Sequence, residues 1–208
     1  MAYCAATDVL AYGNFPASDS VTTDSPPVQA VLAPLISGAQ AIIEEYTGRV
    51  FEYTSTDGAA RSYDITDVLD DGMTLMFMDN EIGGAITSIV VGSDTVASSN
   101  YTTLPRNDKP IYGIRLKDAS TNTWDTYTSD GDWENAIVVT AEWCYSTAAP
   151  AEIKHAATRL TYYMYKQRES DADLDRPLLT GDGVTVMPTK LPEDVRSILN
   201  RYRRVRVG

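Results

Sequence analysis

The 208-residue sequence has few residues of the kinds that cross-link a chain, ligate metals or span membranes. It contains only two cysteines, Cys4 and Cys144, one histidine and no apolar run near the roughly 18 residues that a membrane span requires. Its N-terminus, MAYCAATDVL, lacks the basic and apolar regions of a signal peptide. We therefore expect reduced thiols, a cytosolic setting and no membrane partner. A chain of this length can bury a core without disulfides.

The single histidine, His155, limits the chemistry that the chain can perform. It excludes metal sites built from several histidines, and no serine or cysteine stands in a recognisable nucleophile motif. Residues 171–175 carry aspartates at alternate positions, like the start of a calcium loop, but Arg176 occupies the sixth position, where glycine is needed. We expect no enzymatic activity, no cofactor and no metal.

Basic residues are scarce in most of the chain. Residues 1–150 hold 6 Lys and Arg against 21 Asp and Glu, a net charge of −15, whereas residues 151–208 hold 11 against 8, a net of +3. An acidic body argues against wrapping nucleic acid, which needs a cationic surface. It suits a surface past which DNA slides. The acidic cluster at residues 64–71 is expected to be a solvated turn.

The longest helical pattern covers residues 150–170. Pro150 suits a first helical turn, and Glu152 near the start complements the helix dipole, as do Lys166 and Arg168 near the end. Thr158 falls on the side predicted to face solvent or a partner. The residues of this helix that we predict to lie in the core or at a subunit interface are Ile153, Ala157, Arg159, Leu160 and Met164.

Three further helices are predicted. A short one lies near the N-terminus, a second runs from about residue 26 to 46, and a final one opens at Pro192. Pro34 lies inside the second pattern, so we expect a kink or a short break there. Small residues at 37–41 would let another helix approach closely, and the 150–168 helix is the expected neighbour.

Between residues 50 and 145 the pattern changes to short β-type runs separated by turn signals such as Gly83-Gly84. The sequence thus predicts an α+β fold, with a helical core of four helices (1–48 and 149–208) and a long β-rich insertion (49–148) between the second and third main helices. The predicted strands are residues 50–53, 61–65, 73–78, 85–91, 101–104, 111–117 and 136–143.

The C-terminus is basic and aromatic. Four arginines occupy six positions from 201 to 206, interleaved with Tyr202 and Val205. Such a tail can bind phosphates or RNA, or can dock into an acidic protein groove through arginine–carboxylate pairs, or can remain solvated. The residues alone leave these alternatives open.

Two segments resemble signatures of the head-tail connector (adaptor) proteins of tailed bacteriophages. Residues 35–51 are similar to that family's helix ending in a Tyr-Thr-Gly-Arg-x-Phe turn. Residues 137–145, with 150–160 and 165–168, resemble its strand-Trp-x-Tyr-Pro-x-x-Ile-Lys-x-Ala helix. Residues 7–12 also fit. These motifs cover about a quarter of the chain, in the family's order.

The resemblance implies a structural protein of the virion neck, assembled in the host cytoplasm. Such adaptors form a ring, usually of twelve copies, beneath the portal protein, offer a docking surface to a stopper or tail-completion protein, and let genomic DNA pass without specific binding. The family's C-terminal segment, here residues 195–207, commonly engages the portal. The implied portal-binding residues are Ile198, Arg201, Tyr202, Arg203, Arg204 and Arg206.

Two rival functions are weighed against this one. The first is sequence-independent nucleic-acid binding through the arginine tail. The second is glycan binding by the β-rich insertion, suggested by Trp124 and Trp133 in polar loops. We expect those tryptophans to pack against the sheet instead.

Overall fold

The α+β fold class is confirmed, with the strand-rich region between the second and third helices. The chain divides into two compact units, which we call the helical unit (Ala2–Arg49 with Ala149–Gly208) and the β unit (Val50–Ala148). The computed structural model describes residues 2–15, 28–53, 58–77, 80–169, 178–179, 185–186 and 191–204.

In its described residues, the helical unit contains four helices and one short strand pair. The helices are α1 (Ala6–Tyr12), α2 (Val28–Thr47), α3 (Ala151–Glu169) and α4 (Glu193–Tyr202). The strand pair, Leu178–Leu179 with Thr185–Val186, is antiparallel. Helix α3 packs against each of the other three helices, so it is the centre of this unit.

Helix α3 is buried on more of its surface than its sequence predicts. Thr158 and Thr161 are both buried, and their hydroxyl groups donate hydrogen bonds to the carbonyl oxygens of Lys154, at 2.9 Å, and Ala157, at 2.8 Å. The prediction that Thr158 faces solvent or a partner is therefore wrong. A threonine hydroxyl that is satisfied within its own helix can lie in a core without an unpaired polar group.

Helix α2 runs without a break through Pro34, so of the two expected alternatives, a kink or a short break, the break is wrong. Ala30 and Pro34 are both exposed, which places the proline ring and the carbonyl it leaves unbonded on the solvent side. The predicted contact of the small residues with α3 is confirmed. A Cβ atom on Gly38 would lie 3.3 Å from Cε of Met164.

The β unit consists of two antiparallel sheets around one apolar core. The strands are β1 (Ala59–Tyr63), β2 (Thr74–Met76), β3 (Ile82–Val91), β4 (Asp94–Thr95), β5 (Tyr101–Leu104), β6 (Gly113–Leu116) and β7 (Ile137–Trp143). The first sheet has the order β1-β7-β3-β4, and the second has the order β2-β6-β5. Side chains of β2, β3, β6 and β7 share the core together with Trp124, and burial alternates along β7.

Two predictions about the strands are wrong. Residues 50–53 form only an isolated bridge between Glu52 and Ser146, and the buried Phe51 packs on the ring of Tyr145 instead of extending a sheet. Gly83-Gly84 lies inside β3, not in a turn. A Cβ atom at Gly83 would lie 2.5 Å from the backbone of residues 145–146, so this strand needs glycine where another segment crosses it.

The two tryptophans of the glycan hypothesis differ in their placement. Trp124 is 2% exposed, and its indole nitrogen donates to the carbonyl oxygen of Met73 at 2.6 Å, as expected of a packed residue. Trp133 is 42% exposed, so the expectation that it packs against the sheet is wrong. Its loop is held by backbone contacts that leave the indole at the surface.

Both cysteines are buried free thiols. Among the described residues, no helix combines the length and the hydrophobicity needed to cross a membrane.

Candidate functional site

The C-terminal helix α4 is anchored by an apolar face. Val195 and Leu199, four residues apart, are buried, and Ile198 beside them is half-buried. At the start of the helix, Asp194 accepts a hydrogen bond from Nε of Arg159 on α3 at 3.0 Å. The helix therefore has a defined position on the helical unit.

The carboxylate of Asp194 is held in its charged form. Partial burial raises its pKa, but the hydrogen bond from Arg159 and a backbone N–H at Val195 outweigh that effect. The net result is a pKa below the usual value for aspartate. The Arg159–Asp194 pair is thus ionised at neutral pH.

Glu152 binds the end of α4. Its Oε1 lies 3.0 Å from Nη1 of Arg201, and its Oε2 accepts a hydrogen bond from the Tyr202 hydroxyl at 3.0 Å. Glu152 stands in the first turn of α3, where the helix dipole favours a negative charge. One carboxylate therefore holds two of the predicted portal-binding residues to their own chain.

The chain just after α4 is bound to the end of α2. Arg49 Nε donates to the carbonyl oxygen of Tyr202 at 2.7 Å, and the backbone N–H of Arg204 donates to the carbonyl oxygen of Thr47 at 2.8 Å. The Tyr46 hydroxyl also donates to Oδ1 of Asn200 at 2.6 Å. These three contacts hold the end of α4 and the residues after it against the end of α2.

A polar groove of about 700 Å³ lies where these two segments meet. Gly48 ends α2 with a φ of +67°, a conformation that favours glycine. Arg203 is exposed at this groove, and Glu45 gives it a negative charge as well. The lining residues are Glu45, Tyr46, Thr47, Gly48, Asn200, Arg203 and Arg204.

The structure brings together residues 201–204 of the predicted portal-binding set, while Arg206 lies outside the described residues. Of the other predicted residues, Ile153, Ala157 and Leu160 are buried within the helical unit and Met164 is half-buried. Sequence reasoning gave no role to Glu152 or to residues 46–49 in holding the C-terminus. The available signal was the Tyr-Thr-Gly-Arg turn, which the structure places against α4.

The described residues offer little for catalysis. Within them, no group of three or more His, Cys, Asp or Glu side chains could hold a metal ion. The exposed His155 packs edge-on against Tyr12, with ring centroids 6.0 Å apart. The calcium-loop candidate at residues 171–176 lies outside the described residues. What this site offers is a polar groove bordered by arginines, which suits binding a protein segment.

Two solved structures resemble this fold. A chain from the neck of an empty gene transfer agent (GTA) particle, computed with C6 symmetry, has a TM-score of 0.54 and 18% identity, covering 97% of this chain and 90% of that one. A chain of the native GTA virion has a TM-score of 0.51 and 20% identity, covering 90% and 84% respectively. At these identities the likeness concerns the fold. No curated protein matches the chain.

A family comparison supplies the identity. The family described as "Head completion protein" matches residues 6–205, which span α1 through the end of α4 and include both units. The match therefore covers the anchored C-terminal helix and the groove as well as the fold. The chain belongs to the head completion protein family.

Proposed function

We propose that this protein is a non-enzymatic component of the virion neck that forms a ring, joins the portal to a stopper or tail-completion protein, and surrounds the DNA channel. The observation that carries this proposal is the head completion family match over residues 6–205. The similarity of the fold to chains of the GTA neck and virion supports it.

A ring of twelve copies is the assembly that we propose. The GTA neck that resembles this fold was computed with sixfold symmetry, and both six and twelve copies are compatible with that symmetry. Identical subunits close into a ring only through a heterologous interface, in which two different surfaces of the chain meet. The buried positions of Ile153, Ala157 and Leu160 make them supports of each subunit, so other surfaces must supply that interface.

The charge distribution suits a channel through which DNA passes without being gripped. Residues 1–150 carry a net charge of −15, which repels phosphates. Of the four arginines in the tail, Arg201 is already paired with a carboxylate of its own chain, Glu152. This pairing weakens the case for the alternative, nucleic-acid binding through the arginine tail.

The portal-binding surface that we propose is the groove at the end of α2 and α4. Arg201 and Tyr202 hold the segment in place through Glu152, whereas Arg203 and Arg204 border the groove. Guanidinium groups bind carboxylates through paired hydrogen bonds, so an acidic portal segment would fit beside Arg203.

Co-sedimentation with portal rings from the same virus tests this surface. We expect the native chain to sediment with the rings, and Arg203→Glu to weaken binding by about tenfold, as loss of a well-placed interface arginine does. The matched control is Arg196→Glu, because Arg196 lies on α4, the helix that directly precedes Arg203, but pairs with Glu193. A chain ending at Arg204 retains every described contact of the segment and measures what residues 205–208 add.

The outcomes separate the possibilities. Equal binding by Arg203→Glu and Arg196→Glu would move the portal surface away from the groove. Failure of the native chain to bind portal would overturn the proposed role. Binding to DNA that falls steeply with salt and is lost when residues 201–208 are deleted would favour the nucleic-acid alternative.

A further inference from the structure

Two exposed surfaces of the chain lie outside the proposed portal-binding groove. Six large hydrophobic side chains are exposed in the described part of the chain. Three of them lie in two neighbouring loops of the β unit, and a fourth, Tyr12, lies on the helical unit. Exposed apolar side chains gathered in this way mark interaction surfaces more often than scattered ones do.

The first surface, which we call the acidic lobe, consists of residues 64–71 and 127–134. The two segments are joined by a hydrogen bond from the Ile65 N–H to the Trp133 carbonyl oxygen, at 3.3 Å. Asn135, which directly follows the second segment, donates its backbone N–H to Oδ1 of Asp64 at 2.7 Å. The lobe holds seven Asp and Glu residues and no Lys or Arg. Its exposed apolar side chains are Leu69 (48%), Tyr127 (56%) and Trp133 (42%).

The second surface, which we call the aromatic face, lies where α1 meets α3. Tyr12 is 43% exposed and packs edge-on against Tyr162, with ring centroids 5.5 Å apart. Nζ of Lys166 lies 5.8 Å from the ring centroids of Phe15, Tyr162 and Tyr165. The members of this face are Tyr12, Phe15, His155, Tyr162, Tyr165 and Lys166.

We infer that the acidic lobe of one copy docks on the aromatic face of the next copy, and that this contact closes the ring. The inference rests on the proposed function. The lobe supplies carboxylates and an indole, whereas the face supplies the exposed ring of Tyr12, the half-buried rings of Phe15 and Tyr162, and the ammonium group of Lys166. Opposite charge at the rim steers two surfaces together, and buried aromatic side chains provide most of the affinity.

The charge balance of the two units favours a second copy as the occupant. The β unit carries 5 Lys and Arg against 16 Asp and Glu, a net of −11, while the helical unit carries 12 against 13, a net of −1. Contacts between two β units are therefore repelled, and contacts between a β unit and a helical unit are not. The two surfaces also differ from each other, as a head-to-tail contact requires. Nucleic acid does not fit the lobe, because its carboxylates repel phosphates.

Site-directed cross-linking tests the contact without removing its aromatic residues. Ala11 lies beside Tyr12 and Ser129 lies in the lobe, and both are exposed. The chain carrying Ala11→Cys and Ser129→Cys is assembled on portal rings, treated with a short bismaleimide and run on a denaturing gel. The native thiols are buried and do not compete in the folded protein. The control chain carries Ala11→Cys and Ala119→Cys, because Ala119 is exposed on the β unit outside the lobe.

We expect a ladder of covalent oligomers from the Ala11/Ser129 pair and at least about fivefold less from the control pair. A cross-link within one chain would appear as a monomer of altered mobility and would overturn the inference, as would equal ladders from both pairs. As a second variant, Trp133→Ala should weaken the affinity with which the protein forms a layer on portal rings by about tenfold, because an aromatic anchor of the contact is lost. Tyr112→Ala, which removes an exposed aromatic side chain outside the lobe, should leave that affinity unchanged.

The failure of this inference is distinguishable from the failure of the proposed function. The protein could form a layer on the portal although the Ala11/Ser129 pair gives no ladder and Trp133→Ala leaves the affinity unaltered. That result would overturn the contact and leave the adaptor role intact. Absence of any layer with the native chain would overturn both, because the contact exists only between neighbours in the ring.

Discussion

Glu152 and Arg201 form an ion pair at 3.0 Å that joins the first turn of α3 to the last turn of the C-terminal helix α4. The Tyr202 hydroxyl binds the other oxygen of the same carboxylate. The basic end of α4 is therefore bound to the body of its own subunit up to Tyr202. Any surface that it presents to a partner is held in place by this carboxylate and by the end of α2.

Replacing Glu152 should loosen the end of α4. Glu152→Gln removes the charge that pairs with Arg201, and both side chains are more than a third exposed, so we expect a loss of about 1 kcal/mol or less in the free energy of unfolding. Chemical denaturation measures this loss. The control is Glu193→Gln, whose partner Arg196 lies on the same short helix. An equal effect of the two substitutions would contradict the bridging role.

Gly38 should tolerate alanine but not leucine. A Cβ atom there would meet Cε of Met164 at 3.3 Å, which is the far end of a flexible side chain. Gly38→Ala gains up to about 1 kcal/mol of helix propensity and requires only a small shift of the Met164 side chain. We therefore expect the thermal stability to be unchanged or higher. Gly38→Leu should lose about 1–3 kcal/mol through overpacking. Equal stability of the two variants would show that α2 and α3 are not in close contact.

Gly83 should not tolerate any side chain. A Cβ atom would lie 2.5 Å from backbone atoms of Tyr145 and Ser146, which cannot move aside as a side chain does. We expect Gly83→Ala to lose about 3 kcal/mol, measured by urea unfolding. Ala85→Ser, at an exposed position on the same strand, should stay within about 0.5 kcal/mol of the native chain. A small effect at Gly83 would contradict the crossing of β3 by residues 145–146.

Both thiols should be unreactive in the folded protein. Burial raises the pKa of Cys4, despite hydrogen bonds with Thr158 and Thr161, and burial likewise raises the pKa of Cys144. Less thiolate at a given pH means slower alkylation. We expect mass spectrometry after iodoacetamide treatment at pH 8 to show little labelling of the native protein and two adducts after denaturation. Rapid labelling of either thiol in the folded chain would contradict its burial.

Acid should weaken the helical unit below about pH 4. The pKa of Asp8 is lowered by the backbone N–H of Ala5 and by Lys154, and that of Asp194 is lowered on balance by Arg159 although partial burial raises it. A carboxyl group with a folded-state pKa below its unfolded value of about 3.9 stabilises the fold above that value, and this contribution is lost as pH falls through the folded-state pKa. Unfolding free energies measured from pH 6 to pH 3 should therefore decrease less for Asp194→Asn than for the native chain. Identical slopes would rule out a contribution from this carboxylate.

Local signals in the sequence were enough to place most of the elements. Pro150 and Glu152 mark the start of α3 because N-terminal preferences are set within one turn. Residues 101–104 were predicted as a strand and form β5. Gly83 and Thr158 were misplaced because their environment is created by distant segments. The crossing segment at residues 145–146 explains the first, and packing of α3 against three other helices explains the second.

The candidate site was predictable in composition but not in arrangement. The arginines at 201–204 are visible in the sequence, yet the contacts of this segment with Glu152, Arg49 and Thr47 join residues about 50 to 150 positions apart. No local pattern encodes such pairings. The structure therefore divides the arginines into Arg201, which binds its own chain, and Arg203, which is exposed at the groove.

Electron microscopy of portal rings mixed with this protein tests the central claim most directly. The adaptor role predicts a symmetric layer of twelve copies on one face of the portal ring, formed by the native chain and weakened by Arg203→Glu. Portal rings that remain bare at saturating concentrations of folded native protein would contradict it.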